Sequence, residues 1–182
     1  TFRSEFDEEG GGVSVASGVG TGASGDVVLS TPGGTGSGSI HLSTGSSTVA
    51  GAGSVTITSG STEGGLAGDV LTVVGGSDSG SGGHFQVVAG KGDGFDAAGG
   101  SIHLLSGEGK GQGVTAARSG NAVLATAAAE FHSGGIDIVT GSSQIGSSGS
   151  IKLLSGTAFA GAAGSVQLLA ASGDSGKMGS IV

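Results

Sequence analysis

Cysteine, tryptophan and tyrosine are absent from these 182 residues, and proline occurs once. Without cysteine there is no disulfide to place, and the chain suits the cytosol as well as an extracellular setting that needs no covalent staples. The single proline, with glycine off any three-residue period, excludes a collagen triple helix although 44 residues are glycine. Positive charge is scarce: Lys and Arg number 6 against 14 Asp and Glu, a formal net charge of −8. No basic stripe is available to neutralise phosphates and no aromatic platform to stack bases, which excludes a nucleic-acid partner. No apolar run approaches roughly eighteen residues, so membrane insertion as a helix is excluded too.

What the sequence has is a period. From Gly38 the chain reads GSIHLSTGSSTVAGA, then GSVTITSGSTEGGLA from Gly53 and GDVLTVVGGSDSGSG from Gly68, each fifteen residues long. The phase returns with GGIDIVTGSSQIGSS from Gly134, GSIKLLSGTAFAGAA from Gly149 and GSVQLLAASGDSGKM from Gly164, and Gly179 opens another unit. Between them the units are irregular, with seventeen residues from Gly83, twenty from Gly100 and fourteen from Gly120. Insertions of this kind map to loops in repeat proteins. Phased β-branched residues and a charged fraction of only 11% argue against a disordered linker.

With the opening glycine as position one, position three carries Val27, Ile40, Val55, Val70, Phe85, Ile102, Ala122, Ile136, Ile151 and Val166. Position five carries Leu29, Leu42, Ile57, Thr72, Val87, Leu104, Leu124, Ile138, Leu153 and Leu168, and position four between them is mixed. Alternation with period two predicts a half-buried strand, ended in most units by a glycine at position eight such as Gly60, Gly75 or Gly156. The second half of each unit is Gly, Ser and Ala with one apolar residue, such as Val49, Leu66, Phe95, Val114, Ile145 or Phe159.

The fold class expected from this pattern is all-β: a parallel β-solenoid with coils of about fifteen residues, forming an elongated rod. An antiparallel meander is the rival, but the constant polarity and flanks of the units favour coils. Each coil offers two or three apolar side chains against the entropy of ordering a glycine-rich segment, so a lone coil cannot fold and neighbours must supply the rest. The array spans residues 12–182 and, with Val182 falling four residues into a fresh unit, is expected to belong to a longer one. Residues 1–11, acidic and non-repetitive with Phe2 and Phe6, form a tail or a docking segment.

Position six turns from polar to apolar along the array, through Val73, Val88, Leu105, Val139, Leu154 and Leu169. Either a corner bends this column back into the core, or a straight strand presents it outward as an assembly stripe for another chain. The stripe implies a homo-oligomer or a multi-protein filament.

Catalytic and metal chemistry is thinly represented. His41 and His103 share position four, but four coils of a solenoid would separate them by roughly 19 Å, and His84 and His132 read as solvated. Asp93 and Asp96 in GKGDGFDAAGG resemble the turns of calcium-binding nonapeptide repeats. Hard cations want six or more oxygen ligands, so calcium is a weak expectation and no other cofactor is implied. No Ser–His–acid grouping follows from the columns, so the chain is read as no enzyme. Ice binding would need a uniform Thr column. Position seven comes nearest, with Thr44, Ser59, Val74, Ala89, Ser106, Thr126, Thr140, Ser155 and Ala170, and is not uniform.

The units GSIHLSTGSSTVAGA and GSVTITSGSTEGGLA resemble the GS[IV]xL[ST][ST]G repeats of large Gly/Ser-rich surface proteins of diatoms and related algae. That resemblance implies a cell-wall, adhesive or other extracellular setting, and carries over no catalytic residue. The function expected is structural, a fibre, matrix or cell-surface component. An adhesin that binds polysaccharide and an ice-binding protein are the alternatives.

Overall fold

The computed structural model describes residues 11–49, 51–110, 118–171 and 179–181. It divides into two units, Thr1–Gln86 and Val87–Val182. The acidic segment expected over residues 1–11 lies, except for Gly11, outside the described residues.

Among the described residues there is no helix and no strand. The parallel β-solenoid expected from the alternation is therefore overturned. The reason lies in where the backbone donors go. In a solenoid, each unit would pair with the equivalent positions of the next, about 4.7–4.9 Å away. Here the amide of an opening glycine bonds instead to the carbonyl of position eight in the unit just before it.

In the first unit Gly68 donates to Gly60 at 3.4 Å and Gly83 to Gly75 at 3.2 Å. In the second, Gly100 donates to Gly90 at 2.8 Å, Gly120 to Gly107 at 3.0 Å and Gly179 to Ala171 at 3.1 Å. Each bond closes the neck of a loop, as in a compact Ω-loop whose ends lie close together. The repeating element is thus an arm, positions two to seven, followed by a closed loop.

Side-chain size at the neck follows from the same geometry. The residue at position seven lies against the opening glycine of the next unit. A Cβ added at Gly53 would sit 3.4 Å from Thr44, one at Gly149 3.4 Å from Thr140, and one at Gly83 only 2.7 Å from Val74 Cγ1. A glycine is needed where backbone and side chain approach this closely. Thr31 and Thr44 also use their hydroxyls there, donating to the carbonyls of Gly38 and Gly53 at 3.1 Å each.

Two of the irregular units, those from Gly83 and Gly100, keep this plan. The loop between Gly75 and Gly83 spans eight residue steps (83 − 75), that between Gly90 and Gly100 ten (100 − 90), and that between Gly107 and Gly120 thirteen (120 − 107). The additional residues enter between the neck residues, leaving arm and closure unchanged. Loop closure tolerates this because its entropic cost grows only with the logarithm of length.

No hydrophobic residue among those described is buried. The chain exposes 18332 Å², against about 7,600 Å² for a folded monomer of its mass and about 24,000 Å² for an unfolded chain. Among the described residues loop closure organises the backbone locally without building a core.

Candidate functional site

Three sets of groups recur: the arms, the necks and the loop tips. In the arms, exposure is graded by column. Ile136, Ile151 and Val166 at position three are 46, 49 and 48% exposed, whereas Val139, Leu154 and Leu169 at position six of the same units are 83, 80 and 82% exposed. Position five lies between these values in Ile138, Leu153 and Leu168. The alternation in the sequence thus survives as a difference between two sides of an arm, with neither side covered.

The position-six residues Val73, Val88, Leu105, Val139, Leu154 and Leu169 are all strongly exposed. The described residues contain no core for a corner to bend them into. Among the described residues none of them is buried, and the columns at positions three and five, though less exposed, are not buried either.

The loop tips are turns with definite chemistry. Ser77 and Ser143, both at position ten, accept hydrogen bonds from the amides of Gly80 and Gly146 at 2.9 and 3.0 Å. Thr62, at the same position, accepts from Gly64 at 3.4 Å. Hydroxyl side chains hold such turns by capping a nearby amide. In the loop between Gly90 and Gly100, Ala97 donates to Gly94 at 3.1 Å, and Asp96 adopts a φ of 58°. Aspartate is among the few residues that tolerate this left-handed region, because its short side chain can bond locally.

At or beside the bends stand the apolar residues of the second half-unit. Val49, Leu66, Phe95, Ile145 and Phe159 occupy these places and have exposures of 97 to 107%. The alternating columns did not point to Phe131, which shares a bend with Glu130. Its signal was present as an apolar residue between Glu130 and His132 in the loop half of its unit. Val114 lies outside the described residues.

The titratable groups do not converge. Asp93 pairs with Lys91 at 2.5 Å and Glu108 with Lys110 at 3.1 Å, all strongly exposed. Exposed pairs of this kind contribute little to stability. Asp93 thus directs one oxygen to a lysine, while Asp96 serves the turn. Among the described residues no three His, Asp or Glu side chains come together as a metal site. No helix among them is long and apolar enough to cross a membrane.

No protein-family model, curated protein or solved structure matches the chain.

Proposed function

We propose that this protein is a structural chain, a matrix or surface-layer component that covers its apolar arms by associating with further chains. The observation that carries the reading is the coexistence of a strict apolar column pattern with the absence of any buried hydrophobic residue among those described. Exposed apolar area of this extent drives association, because covering it stabilises by roughly 25 cal/mol per Å². The repeat supports the reading further, since every unit offers the same two columns and contacts made by one unit recur in the next.

Closed loops fit such a component. They return the chain to the next arm after eight, ten or thirteen residue steps alike, so arms recur regardless of loop content. An extracellular or cell-surface setting agrees with the Gly/Ser-rich repeat and with the acidic balance of −8. Net charge of one sign keeps a chain with exposed apolar arms dispersed until it is concentrated.

Sedimentation velocity across a wide concentration range, followed by electron microscopy of the concentrated protein, tests the reading. Growth of large species with concentration and visible fibres or sheets are expected. A monomer at every concentration contradicts it.

A further inference from the structure

The proposed function assigns work to the arms and leaves the loop tips idle. We propose that Phe95, Phe131, Ile145 and Phe159 are docking knobs that seat on the arm columns of a second copy of this chain. The proposal rests on the reading that the chain works as an assembly, and adds which side chains anchor it.

Four observations carry it. Two of these tips are built, because the turn at Phe95 is closed by the Ala97 to Gly94 bond and that at Ile145 by the Gly146 to Ser143 bond. The side chains stand clear of their own chain, at 107, 84, 101 and 103% exposed for Phe95, Phe131, Ile145 and Phe159. A buried Phe covers roughly 150–250 Å², so three Phe and one Ile reach about 800 Å², the share each partner contributes to a standard interface. Spacing also agrees. Tips 131, 145 and 159 follow one another by fourteen residues, and the position-three residues 136, 151 and 166 by fifteen. Tips and arms alternate along the sequence at these intervals, so several weak contacts can form between the same two chains and add in effective concentration.

Chemistry selects the occupant. Phe and Ile carry no hydrogen-bonding group in the side chain, so an apolar surface covers them without leaving a polar group of the partner unpaired. No Lys or Arg lies within three residues of any of the four tips, while Asp96 and Glu130 adjoin two of them. Anionic lipid headgroups are attracted by clustered cations, and here they meet carboxylates. The arms of a second copy offer the apolar, periodic surface that remains.

The test compares the full chain with a variant carrying Phe95→Ser, Phe131→Ser, Ile145→Ser and Phe159→Ser, by sedimentation velocity over a concentration series. The Ser variant is expected to need at least tenfold more protein for half-association. A second variant with Leu at the same four positions should associate like the parent chain. Exchange of the Gly100 amide, unchanged in both, shows that the neck is intact. Association of the Ser variant at the parent's concentration overturns the tip proposal and leaves the assembly reading standing. A parent chain that stays monomeric overturns both. Binding to phosphatidylcholine vesicles without self-association overturns the tip proposal in favour of lipid.

Discussion

At the scale of single residues, the neck is the feature with the sharpest consequences. A Cβ at Gly92 would lie 2.5 Å from the carbonyl oxygen of Ala98, and the atoms it meets are mostly backbone. Gly92→Ala should therefore open the loop that the Gly100 to Gly90 bond closes. The net worth of such a bond is about 0.5–1.5 kcal/mol, so exchange of the Gly100 amide should quicken about two- to tenfold. Gly135→Ala, with nothing within 4 Å, should leave exchange at the necks unchanged. Asp96, at a φ of 58°, makes a second case. Asp96→Val places a β-branched residue in the left-handed region and should cost about 1–2 kcal/mol, loosening the Ala97 to Gly94 turn. Asp96→Gly should keep it, as NMR scalar couplings across residues 94–97 would show.

At the scale of the element, arm and loop respond differently to length. The loop between Gly107 and Gly120 closes with thirteen steps where that between Gly75 and Gly83 has eight. Inserting five small polar residues after Ser79 lengthens the shorter loop to the same thirteen. By the logarithmic rule this costs about 0.4 kcal/mol, and protection of the Gly83 amide should persist. One residue inserted between Leu153 and Leu154 should act otherwise. It moves every following residue of that arm to the other side, and should weaken association without touching any neck.

The sequence made part of this legible. The units, the arm positions and the glycine at position eight are all read from Gly38 onward, and the necks fall at those glycines. Small residues at position seven and glycine at position one were both visible, yet their coupling was not. Only the structure shows that Thr44 and Thr140 lie against Gly53 and Gly149. The solenoid failed for an energetic reason. Period-two alternation states which side of an arm is apolar, as the contrast between Ile151 and Leu154 shows, but not what will cover it. Stacked coils of the same chain were one cover. A neck bond that takes the opening amide, as at Gly68, Gly83, Gly100, Gly120 and Gly179, is a local competitor with far less entropy to overcome. Phe131 was missed because it belongs to no column, and loop-tip apolar residues have no period-two signature to betray them.

At the scale of the whole molecule, charge and apolar surface oppose one another. A net charge of −8 at pH 7 and a sequence pI of about 4.6 mean that repulsion between chains falls as pH is lowered toward that value. Light scattering at fixed concentration should rise between pH 7 and pH 5, and added salt at pH 7 should act in the same direction by screening. The arms set the opposing term. Ile151 is half exposed in the single chain, so Ile151→Asp should leave the necks closed while sharply weakening association, since an unpaired charge cannot be covered by apolar surface. Loss of neck protection in that variant would place Ile151 in a core that the described residues do not contain.

On this reading the arms of a single chain are not buried and become so only between chains. Amide hydrogen exchange, measured residue by residue in dilute and in concentrated protein, tests it most directly. In dilute solution the amides of Gly68, Gly83, Gly100 and Gly120 should be slowed while those of residues 151–155 exchange freely, and residues 151–155 should become protected on concentration. Strong protection of residues 151–155 in dilute monomer, or free exchange there at every concentration, would contradict it.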